Sequence, residues 1–419
     1  MSEPPLLDKE AGMEVYATKS PPCWARLKSR TDDFRVEEAL VVEFPTEPDG
    51  NSFPIYRVEK RRIDTFHLER ELTGILKSKV KFIGLKDKKA VAVQYASPTR
   101  RNSSTPALVE RENFRAELVG YSPRPVSGAD IAGNRFRIVL RDCSSGIDTA
   151  IRETFELAGD ALLPNFYGLQ RFGAVTHRVG AALVKEDFQG AVEILLIEPR
   201  KNDSPETLEA REQIAKGNIS AGAKLLTEGS DIEKLVANRL SRNPSDFVGA
   251  LRAIPIRLRR FFPQAYQSYI FNRTLSLALQ RGLDISRSQR GDNWGDATPD
   301  GSGTRTVHGV REPQNAEAVP LVQLVGFAYR NYASRFDSCI EDVMAEEGIS
   351  PRKFYLQEMQ EVSPEGGFRR PSLAARKLSC SFEGEDEAIL LFTLARGQYA
   401  TVLVREIVKP SDPTAQGFA

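Results

Sequence analysis

Cysteine and histidine are scarce in this chain, and the few present are scattered. Its 419 residues include four cysteines, Cys23, Cys143, Cys339 and Cys380, and three histidines, His67, His177 and His308. No two cysteines form a CxxC pair, no metal-ligand spacing is visible, and neither HExxH nor a GxxxxGK[ST] loop occurs. Zinc-finger, metalloprotease and P-loop chemistries are therefore not expected, and no metal or cofactor is called for. The cysteines read as reduced, mostly buried thiols of a cytosolic protein. Long apolar runs are also missing: nothing approaches the roughly 18 residues of a membrane span. MSEPPLLDKEAGMEV lacks the basic start and apolar stretch of a secretory signal, so a cytoplasmic location is expected. Excess charge is absent as well. Lys and Arg total 58 against 57 Asp and Glu, a net charge of +1, so overall charge announces no nucleic-acid partner.

What the chain does have is local. Basic residues gather at Lys60-Arg61-Arg62, from Lys77 to Lys89, at Arg100-Arg101, at Arg257-Leu258-Arg259-Arg260 and at Arg369-Arg370. Acidic residues gather elsewhere, as in Glu383-Gly384-Glu385-Asp386-Glu387. Such segregation fits phosphate binding on one face, and equally a solvated surface. In KFIGLKDKKAVAVQYAS (81–97) a single carboxylate, Asp87, stands among Lys81, Lys86, Lys88 and Lys89. Val80, Phe82 and Ile83 lead in, and Val91, Val93 and Tyr95 lead out with period-two alternation. Two strands should thus hold Asp87 on a short turn, and an ion-paired turn residue is the plain alternative reading.

At this length two domains are expected. Residues 1–20 are Pro- and charge-rich and read as flexible. From Trp24 to about Asp142 the pattern is mixed: strands over Phe34–Glu38, Phe53–Val58 and Asn134–Arg141, and a helix capped at Asp64 or Thr65 that runs to about Lys77. A helix from Ile147 to Leu163 follows. After Gly173 helical periodicity takes over, with Ala221–Leu226, Asp231–Leu240 and Phe262–Leu279 as its clearest stretches. A Gly/Asp/Thr-rich loop is expected over Gly291–His308, and its Gly301-Ser302-Gly303 could cradle a phosphate. Ile389–Thr393 reads as a strand, and Tyr399–Val408 as helix or strand. A helix-rich block between two mixed segments implies an inserted domain. The boundaries expected are 21–175 for the first part of the catalytic domain, 176–370 for the insertion and 371–419 for the return.

DDFRVEE (32–38), GLKDKKAVAVQ (84–94), AGNRFRIVLR (132–141), PNFYGLQRFG (164–173) and GQYATVLVREI (397–407) together resemble, in order and across nearly the whole chain, the signature set of the TruD family of tRNA pseudouridine synthases. The resemblance implies an α+β fold, a mixed-sheet pseudouridine-synthase catalytic domain carrying an inserted, helix-rich TRUD domain. It implies a tRNA substrate with uridine 13 as target, no cofactor, no membrane and no obligatory protein partner. It makes Asp87 the catalytic aspartate, acting on the ribose of a uridine that is cut at C1′–N1, turned and rejoined through C5. By motif match it makes Phe34 and Phe136 the aromatic pocket, puts Asn134 at the uracil edge and Lys28 at the family's basic position, and sets Tyr399 where the family's phenylalanine stands. Lys86 is then the cation that keeps Asp87 ionised, with Lys88 and Lys89 on phosphates. Arg171 is a secondary candidate for RNA contact in a segment read as mainly structural. Charge alone adds Arg257, Arg259 and Arg260 as phosphate contacts.

Two other classes fit the residues. A non-catalytic RNA-binding or RNA-folding protein needs the same patches and aromatics but gains nothing from a carboxylate among them. A hydrolase needs a second carboxylate near Asp87, for which Glu37 or Glu38 would serve.

Overall fold

The computed structural model describes residues 2–41, 43–84, 86–88, 90–101, 105–201, 203–227, 229–298, 304–309 and 318–418, with the backbone alone for 305–309. The first part of the chain supplies β1 (Phe34–Leu40), β2 (Phe53–Lys60), β3 (Val80–Phe82), β4 (Val91–Pro98), β5 (Leu108–Arg111), β6 (Phe114–Ser122) and β7 (Ile131–Leu140). The middle supplies β8 (Leu163–Pro164), β9 (Asn293–Ala297), β10 (Thr304–Gly309), β11 (Ala318–Leu324), β12 (Gly367–Arg369) and β13 (Ser372–Leu373). The last strands are β14 (Ala375–Glu383) and β15 (Glu387–Ala395). A nine-stranded sheet runs β14-β15-β7-β1-β4-β2-β6-β5, with β3 against β4. β1 and β4 pair in parallel, while their other partners are antiparallel, so the sheet is mixed.

Strand alternation decides which side chains meet. Phe34, Val36 and Glu38 point to one face of β1, and register sets them opposite Ile138, Phe136 and Asn134 of β7. β15 adds Leu390, Phe392 and Leu394 to the same face. Lys60 of β2 and Val36 of β1 both pair with Ala92 of β4, which puts Lys60 on that face too. The opposite face carries charge, with Arg35 on Glu59 at 2.9 Å and Arg57 on Glu37 at 3.1 Å. The helices Ile147–Gly159 and Ala400–Val408 cover the apolar face at β7 and β15, and the helix Thr65–Leu76 covers it at β2, β3 and β6. Asp64 caps that last helix by accepting the Phe66 and His67 amides at 2.9 and 3.0 Å, and Lys77 ends it in the left-handed region.

Three expectations change. The first 20 residues are not loose: Leu6–Glu10 is helical, and Asp8, almost fully buried, accepts from Arg405 Nε at 2.5 Å. The charge and proline that suggested disorder serve a buried ion pair. The helix after Ile147 stops at Gly159, and the chain turns through Ala161 at φ 58° into β8. The stretch around 291–308 is not simply a loop, because β9 and β10 pair there and join β11 and β12 in a four-stranded antiparallel sheet. β11, rich in valine, supplies the pairing partner that the poor strand formers of β9 need. Gly301-Ser302-Gly303 lies outside the described residues.

The central helix of the middle block, Phe261–Gln280, is buried along most of its length. Phe262, Tyr266 and Phe271 are buried in the core. Asn272 donates to the carbonyls of Ala11 and Tyr167 and accepts from the Tyr167 amide, all within 2.8–2.9 Å. One apolar cluster extends from the sheet face into this helical block, and β8 pairs with β13 beside it. The two regions share a core.

Candidate active site

The turn between β3 and β4 is held over the apolar sheet face by several donors. Gln94 of β4 donates to Gly84 O at 2.7 Å, and the Lys86 amide donates to Thr65 Oγ1 at 3.2 Å. Lys60, fully buried, gives its ammonium protons to three carbonyls: Ile63 at 2.8 Å, Lys86 at 3.1 Å and Asp87 at 3.0 Å. Burial pushes that amine down to about 8, against the pull of the Asp87 carboxylate. The backbone on both sides of the Lys86–Asp87 bond is thereby fixed, and the two side chains leave in different directions.

Asp87, about one-third exposed, receives Lys28 Nζ at 2.6 Å. Lys28 has a φ of 57°, a left-handed conformation that costs energy for a non-glycine residue and recurs at functional sites. Its ammonium also lies 4.9 Å from the centre of the Phe34 ring. Phe34 meets Phe136 edge-on at 6.0 Å, and Phe136 stacks on Phe392 at 5.4 Å. Asp33, just before Phe34, is clamped by Arg141, the residue after β7, at 2.8–3.0 Å. A carboxylate, its cation and an aromatic wall therefore converge at the mouth of the sheet face.

Lys86 does not pair with Asp87 as expected. Its ammonium goes to Asn134 Oδ1 at 2.5 Å and lies 3.4 Å from Glu38, because Glu38 and Asn134 face each other across β1 and β7. Burial lowers the amine's affinity for its proton, and the Glu38 carboxylate opposes that. Glu38 also accepts the Tyr95 amide at 2.9 Å, so it is engaged elsewhere than at Asp87. Lys88 is exposed beside Asp87, and Lys89 lies outside the described residues.

Tyr399 caps the helix Ala400–Val408 and meets Tyr167 edge-on at 6.0 Å. Burial raises its phenol above the ordinary tyrosine range. A side chain at Gly168 would meet Thr401 Oγ1 at 2.9 Å and the Tyr399 ring at 3.1 Å, so glycine permits this close approach. Arg369 lies 4.0 Å from the Tyr167 ring, and Arg171 lies 4.4 Å from that of Phe261 while bonding Ser268 at 3.0 Å. PNFYGLQRFG thus ties the sheet to the helical block. Arg259 is largely buried on Glu361 at 2.8 Å, so its charge is already matched, whereas Arg257 is exposed.

The family profile of tRNA pseudouridine synthase D matches residues 10–407. The chain belongs to the TruD family. A relative from Pyrobaculum neutrophilum described as a tRNA pseudouridine synthase D is 33% identical over the whole of both chains. Another of that description, from Methanosarcina mazei, is 31% identical across 97% of this chain and 98% of its own. The crystal structure of the Methanosarcina mazei TruD covers 98% of this chain and 99% of its own, at 28% identity and a TM-score of 0.77. In this TruD fold sequence reasoning missed three contributors: Lys60 and Gln94, which hold the Asp87 turn, and Phe392, which backs Phe136. Strand parity at Ala92 was the signal for Lys60.

Proposed function

We propose that this chain isomerises uridine 13 of tRNA to pseudouridine, with Asp87 as the residue that acts on the ribose. The observation that carries this reading is the pairing of Asp87 with Lys28 beside Phe34, on a turn pinned by a buried lysine. The carboxylate serves as nucleophile at C1′ or base at C2′. In either route C1′–N1 breaks, the uracil turns, C5 bonds to C1′, and the C5 proton is lost as N1 gains one. Nothing is oxidised and no group leaves the RNA, so the reaction itself calls for no cofactor.

Reaching the target requires extrusion of the base from its stack. Phe34 and Phe136 offer it an aromatic wall, and Asn134, held by Lys86, offers an amide to its edge. Lys88 and Lys89 approach the neighbouring phosphates, as do Arg171 and Arg257 from the helical side. Residues 176–370 form the inserted unit that grips the RNA, and the site of action is the cytoplasm.

Unmodified tRNA transcripts incubated with wild type and Asp87→Ala test this directly, with pseudouridine mapped by carbodiimide labelling and primer extension. A stop at position 13 with wild type alone is expected, with tRNA affinity of the variant within severalfold. Tight binding without a stop in either protein would favour the RNA-binding reading. Free uracil in solution would mark a hydrolase.

A further inference from the structure

A second cavity of about 570 Å³ opens next to the Asp87 turn, between the sheet domain and the helical block. One wall is the helix Thr65–Leu76 with β3, and the other is Leu258 and Phe261. Ile83 and Gly84, the first residues of the turn itself, also line it. Gly84 and Asp87 are three residues apart, which bounds their separation at about 11 Å.

We infer that this cavity receives the base of a nucleotide flanking the target, stacked on Phe66 and Phe261, with its phosphates on Lys79, Lys81 and Arg257. The inference rests on the tRNA-modifying function proposed above. Phe66 is 44% exposed, and with Phe261 it gives the cavity two aromatic rings. Phe66 and Glu69 stand three apart on one helix face, so the ring and the carboxylate address the same space. A carboxylate repels phosphate and accepts from an exocyclic amine, so Glu69 favours a base edge over a phosphate beside Phe66. The Arg171 guanidinium lies 4.4 Å from the centre of the Phe261 ring. Aromatic platforms bordered by cations are the usual receptor for unpaired bases.

The test uses full-length protein and tRNA transcripts in which each nucleotide next to the target is made abasic in turn. With wild type, one abasic position should weaken binding by about tenfold, within the range of base–aromatic stacking. Phe66→Ala should weaken binding of the intact transcript by a similar factor, and combining it with that abasic RNA should add almost nothing. Arg257→Ala should lower the salt dependence of binding by about one ion. Leu258→Glu, which blocks the opposite wall, provides a second route to the same loss. Independent, multiplying losses would overturn the proposal, as would wild-type affinity that no abasic position changes. If wild type makes no pseudouridine in the intact transcript, the functional reading fails, whatever the cavity does.

Discussion

Lys28, Lys60 and Lys86 are three lysines at one turn with three different duties, and only pairing geometry tells them apart. From sequence, Lys86 looked like the partner of Asp87 because it is the adjacent residue. Consecutive side chains here diverge, and Lys86 meets the buried Glu38 instead. Lys60 looked like the first member of a surface knot, yet it is fully buried. Lys28, 59 positions before Asp87, was found through motif spacing and is its ion-pair partner. Lys28 and Lys86 should therefore respond differently to methionine. Lys28→Met should slow single-turnover isomerisation on the order of 100-fold, as loss of a charged group in a site does, with tRNA affinity within about threefold. Lys86→Met should instead show mainly in stability, because it strands Glu38, and breaking such a buried pair costs about 3–5 kcal/mol, with a smaller loss of rate through the released Asn134. Urea unfolding of both variants beside their kinetics separates the two roles. Equal effects on rate and stability in both would refute the division.

Among the elements, those with strong local signals were legible. The helix from Thr65 was fixed by its Asp64 cap, and β1 and β7 by alternation of apolar and charged residues. β9 was not, since Asn293-Trp294-Gly295-Asp296-Ala297 has little strand propensity and exists through its neighbours β10 and β11. Gly133 in β7 was equally silent. A side chain there would meet Leu394 O at 2.2 Å, so glycine lets β15 close on β7 beside Asn134. Gly133→Ala is expected to cost about 1–3 kcal/mol by overpacking and to shift Asn134, reducing isomerisation as well as stability. Chemical denaturation with parallel rate measurements checks it, and an alanine variant of wild-type stability would show that the strands can part freely.

At the scale of the molecule, a change of texture after Gly173 was legible, but the shared core was not, because it depends on which helix covers which strand. His177 sits in that core between Tyr269 and Phe172, with ring centres at 5.4 and 5.3 Å. Burial pushes its imidazole down to about 4 from 6.5, opposed by a hydrogen bond to the Glu10 backbone. The unfolded chain takes up this proton first as pH falls, so stability should drop between about pH 6.5 and 4, by about 3 kcal/mol at most. In His177→Gln that part of the acid slope should vanish in urea titrations at stepped pH, and an unchanged slope would remove His177 as its source. The sheet order has a further consequence for synthesis. β7 pairs on one side with β1, which is made before it, and on the other with β15, which follows the whole helical block. While the ribosome makes that block, the edge of β7 beside the aromatic wall has no strand to complete it, and an open edge is a template for wrong partners. The enzyme cannot close its own pocket until β15, beyond the whole helical block, has been translated.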